Sequence, residues 1–196
     1  MDGQNTDQYA GTQEVKEAVR KYTYEDYINR PDDERYEIID GVIYMMSTPL
    51  RIHQKIIMNL LSYFVNFLDD KPCEVYCAPF SVRLNPNTGD DTVVEPDIVV
   101  ICDLSKLDDR GCNGAPDLVI EILSPSTSWY DRGRKLKKYF QVGVRECWIV
   151  DPVDKLVAVH ILKDGEYIHR PYDIDDIVPV HVLDGCAIDL KKVFTE

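Results

Sequence analysis

The sequence predicts one α/β domain, a mixed β-sheet core flanked by helices and extended by extra β-hairpins. Three observations carry that expectation. One long segment repeats apolar residues at three- and four-residue spacing, as an amphipathic helix does. Two near-continuous apolar runs match strands covered on both faces. A strand, helix, strand succession then suggests a crossover unit. At 196 residues the chain suits one well-buried core and is short for two. No internal repeat or linker divides it.

The elements follow in chain order. Residues 1–22 are expected to be an extension, helical in "TQEVKEAVRKY" or mobile, with the domain spanning 23–196. "TYEDY" offers Thr23 as an N-cap with Asp26 three residues on, a capping-box start. "RYEIIDGVIYMMS" (35–47) reads as a hairpin around Asp40-Gly41, a favoured type I′ pair. In "RIHQKIIMNLLSYFVNFLDD" (51–70), Ile56, Ile57, Leu60, Leu61, Phe64 and Phe67/Leu68 mark the buried helix face. Residues 73–85 alternate as a strand, and 93–102 and 117–123 are the two apolar runs. A helix follows, capped by Ser126 or Thr127 and stopped at Gly143, and 145–152 returns as a strand. Hairpins around Asp164-Gly165 and Asp184-Gly185 complete the chain.

Composition narrows the function classes. The polar, acidic N-terminus has no apolar signal core, and no apolar run approaches the roughly 20 residues needed to span a bilayer. A cytoplasmic protein without a membrane partner is the expectation. Net charge is −13, which lacks the basic footprint of a nonspecific nucleic-acid binder but leaves open what a single cleft does. The six cysteines form no CxxC pair, so they are expected to be reduced and structural.

Two acids stand out because they interrupt apolar strands. "EPDIVVICD" carries Asp97, and "APDLVIEILSPS" carries Glu121. A carboxylate in such a run is costly to desolvate unless something pairs with it. A divalent cation would neutralise both, since hard cations take carboxylate oxygens. The alternative is that the acids sit at strand ends facing water, or pair with Arg or Lys. On the following helix, at about 100° per residue, Trp129, Leu136, Tyr139 and Phe140 share one arc. Arg132 falls within it and Lys135 at its edge, while Arg134, Lys137 and Lys138 point away. A plain Asp131–Lys135 pair on a solvated helix stays open beside that placement.

These stretches resemble a known family. "PD" in one strand and an acid in the next are similar to the PD-(D/E)xK nuclease core. The series "RYEIIDGVIYMMS", "RIHQKI", "CEVYCAPFSVRL", "EPDIVVICD" and the run from Gly114 to Pro152 resembles the Uma-type family of restriction-endonuclease-like proteins, formerly domain of unknown function 820. The resemblance implies a restriction-endonuclease-like fold and a metal-dependent endonuclease acting on phosphodiester bonds, DNA favoured. The signature lysine two positions after Glu121 is absent, because Leu123 stands there. The resemblance implies instead a lysine moved to the next helix, Lys135. It also implies Mg²⁺ as cofactor, with Mn²⁺ substituting, held by Asp97, Glu121, the Ile122 carbonyl and Glu37. Glu37 could equally be a solvent-facing hairpin residue.

Lys135 would orient the attacking water or stabilise transition-state charge, or act as a neutral base if desolvation lowered its pKa enough. Arg132, with Lys137 and Lys138 behind it, would contact the nucleic-acid backbone. His53 reads as a cap or surface residue ahead of a phosphate contact, and His160, His169 and His181 as ordinary sheet residues. A homodimer is a further expectation, because duplex cutters often act as pairs. Two alternatives remain: a non-catalytic nucleic-acid or protein-binding module on the same fold, and a metal-dependent phosphoesterase acting on a smaller substrate.

Overall fold

The computed structural model describes residues 20–31, 34–124 and 129–195, without the side chains of 129–132. Residues 1–19 of the expected extension and the expected caps Ser126 and Thr127 therefore lie outside the described residues. In chain order come α1 (Tyr24–Ile28), β1 (Tyr36–Ile39), β2 (Val42–Met45), α2 (Arg51–Leu68), β3 (Glu74–Cys77), β4 (Ser81–Arg83), β5 (Val93–Val94) and β6 (Ile98–Ile101). Then follow β7 (Leu107–Asp108), β8 (Gly111–Asn113), β9 (Leu118–Ile122), α3 (Trp129–Val142), β10 (Glu146–Asp151), β11 (Leu156–Lys163), β12 (Glu166–Tyr172), β13 (Ile177–Pro179), β14 (Ala187–Asp189) and α4 (Leu190–Val193).

The expected mixed-sheet core is present, and its strands sort into two sheets of six. The first runs β2-β1-β5-β4-β8-β7 and the second β12-β11-β10-β9-β6-β3, with β13-β14 as a separate pair. Proline explains the division. The expected strand at 73–85 breaks at Ala78-Pro79, and the run at 93–102 breaks at Pro96. Proline has no N–H to give to a central ladder, so the chain changes sheet at each break. The segment Glu95-Pro96-Asp97 thus crosses from the first sheet to the second.

The crossover unit is present: β9 and β10 pair in parallel, with Glu121 beside Ile149, and α3 connects them. Gly143 (φ 84°) ends α3 in the left-handed region that glycine adopts at low cost. Asp40 and Gly41 both have positive φ (54° and 78°), as the type I′ hairpin turn requires. The Asp26 carboxylate accepts the Thr23 backbone N–H at 2.9 Å, the reciprocal half of the expected capping box.

The second sheet separates two cores. On one face α2 buries Ile56, Ile57, Leu60 and Phe64 against Ile98, Leu118, Ile120 and Trp148, joined by the β13-β14 pair and α4. On the other face Val99, Val119, Cys147 and Tyr139 of α3 pack with Val82, Leu84 and Val94 of the first sheet. Each large side chain so buried stabilises the fold by about 1.5–3 kcal/mol relative to exposure. Strand alternation then decides the next level: odd positions 119 and 121 of β9 face α3 and the first sheet. The C-terminal pair is tied to the sheet by Glu146, fully buried, whose oxygens accept Trp148 Nε1–H at 2.7 Å and the Val182 backbone N–H at 2.9 Å. Among the described residues no helix is long and apolar enough to cross a membrane.

The cysteine expectation needs one correction. Cys73 and Cys102 form a disulfide. Antiparallel β3 and β6 pair Glu74 with Ile101, and one further step of that register sets the two cysteines face to face. Pairing across strands leaves no local spacing motif. Cys77, Cys112, Cys147 and Cys186 are free.

Candidate active site

A cleft of about 250 Å³ opens at the end of the second sheet, where the first sheet, α2 and α3 converge. Asp97 immediately precedes β6 and Glu121 lies in β9. These strands pair antiparallel, Ile98 opposite Ile120, so the next step of the register brings Asp97 opposite Glu121. Both line the cleft, together with Glu37 from β1 and Lys135 from α3.

Lys135 lies between two carboxylates. Its Nζ is 2.8 Å from Glu37 Oε1 and 2.7 Å from Glu121 Oε1. Glu37 is buried and not a solvent-facing hairpin residue, and the same Oε1 accepts the Glu95 backbone N–H at 2.8 Å. The Tyr139 hydroxyl donates to Glu121 Oε1 at 2.5 Å. On Asp97, Oδ2 accepts the Ile122 backbone N–H at 2.7 Å and lies 3.2 Å from His53 Nε2.

The Glu121 carboxyl is raised to about 7: burial is the largest cause, Lys135 pulls it down, and the charges of Asp97 and Glu37 push it up. Burial by itself would depress Lys135, but the facing Glu121 and Glu37 carboxylates outweigh it and raise the ammonium pKa. The two facing carboxylates thus favour the charged ammonium over the neutral amine. Burial and the neighbouring Glu121 charge hold the Tyr139 hydroxyl well above its usual value, so it is a donor. For His53, burial lowers the pKa, but the hydrogen bond to Asp97 and the carboxylate charges more than compensate and raise it.

The site so far holds three carboxylates around one ammonium and one imidazole. These are the donors that hard divalent cations prefer, in a setting with spare negative charge. Among the described residues, however, no three His, Cys, Asp or Glu side chains are gathered as a ligand cluster. Lys135 stands between Glu37 and Glu121, and Asp97 Oδ2 meets both His53 and the Ile122 amide.

Several residues differ from their expected roles. His53 is buried against Asp97 rather than capping the helix at the surface. Arg134, expected to point away, lines the cleft and bonds the Tyr44 hydroxyl. Lys138 pairs with Asp40 of the first hairpin. Helical angle alone missed both contacts, because the first sheet folds over α3 on a side that looks solvated on a wheel. Arg132 lies on α3, but its side chain is outside the described residues. Glu95 was not singled out at all. It is buried, with Oε1 accepting the Tyr27 hydroxyl at 2.7 Å and Arg30 at 3.1 Å, and Oε2 accepting Arg35 at 2.8 Å. The acid one position before the Pro-Asp pair was the only local signal, and its partners lie some sixty residues away.

Residues 22–191 match the family model Uma2, described as "Putative restriction endonuclease". A protein of Synechocystis sp., "Uncharacterized protein slr1290", is 35% identical over 145 residues, covering 73% of this chain and 75% of the relative. The crystal structure of "a putative nuclease belonging to DUF820" from Anabaena variabilis superposes with a TM-score of 0.72 at 21% identity, covering 88% of this chain and 97% of that one. At that identity the structural match speaks for the fold.

Proposed function

This chain belongs to the Uma2 restriction-endonuclease family, and on that premise we propose that it hydrolyses phosphodiester bonds of nucleic acid, DNA in the first place. The observation that carries the proposal is the facing of Asp97 and Glu121 across β6 and β9, with the Lys135 ammonium 2.7 Å from Glu121. In this reading Lys135 is the signature lysine moved from the strand to α3. Asp97 and Glu121, with the Ile122 carbonyl and Glu37 beside them, would hold Mg²⁺ or Mn²⁺. When bound, such an ion polarises a phosphoryl oxygen and makes a bound water more acidic.

The protein's own groups supply the rest. Lys135, an ammonium between two carboxylates, would stabilise negative charge gathering on the phosphoryl oxygens or orient the attacking water. Tyr139 keeps Glu121 oriented by donating to Oε1. His53 and the Ile122 amide hold Asp97 through Oδ2. Arg132 would contact the nucleic-acid backbone, and Arg134 and Arg35 at the cleft are placed for the same task. Residues 23–196 would act as one unit, in the cytoplasm, as a monomer or as a homodimer that cuts both strands.

Purified protein incubated with plasmid or single-stranded DNA and Mg²⁺ or Mn²⁺ is expected to cleave, and Asp97→Ala to abolish cleavage. Activity that survives in that variant comes from a contaminant and removes the proposal. The ammonium standing between two expected ligands favours one second reading, a binding module that keeps the fold without the chemistry. Calorimetric titration with Mn²⁺ separates the two: a site abolished by Glu121→Gln supports the nuclease, and no site supports the module.

A further inference from the structure

A second cleft lies behind the candidate active site, and Glu95 is the wall between them. It encloses about 440 Å³ and is lined by Tyr27, Arg30, Tyr76, Phe80 and Arg110 among others, with Glu95 shared by both clefts. The sheet-crossing prolines make this divider: Ala78 lines the first cleft and Pro79 the second.

Two features of the wall and lining point to a ligand. The Glu95 carboxylate is neutralised twice, by Arg30 on the second-cleft side and Arg35 on the first. The bridge itself carries one more positive than negative charge, whereas the second cleft as a whole, with Asp108 and Asp109 beside Arg110, does not. The lining includes an aromatic pair: Tyr76 and Phe80 stack on each other with ring centroids 4.3 Å apart and planes 9° from parallel. A hydrogen bond from the Tyr76 hydroxyl to Glu74 keeps that ring in place.

The acids of this cleft decide which part of a nucleotide enters. Asp108 is consumed by its own turn, accepting the Arg110 and Gly111 backbone N–H groups at 2.7 and 3.0 Å and the Asn113 amide at 2.8 Å. Asp109 lies exposed at the rim. A phosphate would be repelled by both, whereas a neutral base stacks on aromatic surface without regard to its sequence. The phosphate belongs over the arginine pair, and the base beyond it.

We propose that the second cleft is a base-stacking subsite for an unpaired nucleotide flanking the scissile phosphate, the strand passing over the Arg30–Glu95–Arg35 bridge. This deepens the nuclease reading and rests on it. A duplex presents no unstacked base, so the preference is for single-stranded, frayed or flipped nucleic acid.

The test is fluorescence anisotropy with full-length protein in EDTA, which halts metal-dependent cleavage, using a labelled oligodeoxycytidine and a blunt duplex. Phe80→Leu keeps apolar volume but loses the ring, and Phe80→Tyr keeps both. Phe80→Leu should weaken single-strand binding by about 5- to 100-fold and leave duplex binding unchanged, with Phe80→Tyr close to the parent. Unchanged single-strand binding in Phe80→Leu, or an equal loss on both substrates, overturns the subsite. If the parent protein cleaves DNA as proposed above while Phe80→Leu binds normally, the subsite alone falls. If the parent neither binds nor cleaves nucleic acid, both readings fall.

Discussion

Glu121 and Glu146 lie on neighbouring parallel strands, both withdrawn from water, and they are satisfied in opposite ways. Glu146 accepts hydrogen bonds from neutral donors, the Trp148 indole and the Val182 amide, and joins the C-terminal strands to the sheet. Burial raises its pKa, and its donors offset part of that. Glu121 meets a lysine and a tyrosine, yet also feels the charges of Asp97 and Glu37 across a cleft wall. A buried carboxylate with matched neutral donors is a structural tie. One crowded by like charges beside open space is a place where a cation has something to gain.

That comparison can be broken experimentally, and the largest effect is expected at the lysine. Lys135→Met strands Glu37 and Glu121 without their ammonium and should cost about 3–5 kcal/mol in urea unfolding at pH 8. At pH 5.5 the loss should shrink, because Glu121 can then take a proton. A pH-independent loss would mean that charge is not what Lys135 supplies.

Glu146→Leu is expected to come next. It leaves the Trp148 N–H and the Val182 N–H unpaired, at about 3 kcal/mol for the two together. The loss should come with faster proteolysis of the β13-β14 pair and little change in nuclease activity. Equal loss of activity would erase the distinction between tie and site.

The pH dependence of the metal-free protein follows in size. An acid whose folded pKa is raised keeps a proton that the unfolded chain releases, so stability falls as pH rises through the interval. For Glu121 that interval runs from its ordinary 4.5 to about 7. Melting temperature should therefore decline between these limits, and Glu121→Gln should flatten the slope. The smallest effect is expected from Tyr139→Phe, about 1.5 kcal/mol for one hydrogen bond to a charged group, measured by urea unfolding. An unchanged midpoint would show that Glu121 finds another donor.

Local chemistry made much of the fold legible. The Asp40-Gly41 turn, the apolar face of α2, the β9-α3-β10 crossover and the stop at Gly143 each rest on residues close in sequence. In the site, Asp97 and Glu121 were legible because an acid is conspicuous in an apolar run, and Lys135 because helical angle and family resemblance both select it. His53 was misassigned because nothing beside it in "RIHQK" shows the carboxylate it meets. Tyr139 looked like core, which it is, but its hydroxyl end serves Glu121.

By itself, then, the sequence determined the periodic elements, the family, and which strands carry the acids, since propensity, turn geometry and periodicity act over a few residues. Tertiary structure alone decided that the strands sort into two sheets, that Cys73 reaches Cys102, that Arg134 turns inward, and that Glu95 stands between two clefts. These depend on registers and layer packing between segments tens of residues apart, where no short-range preference selects the partner.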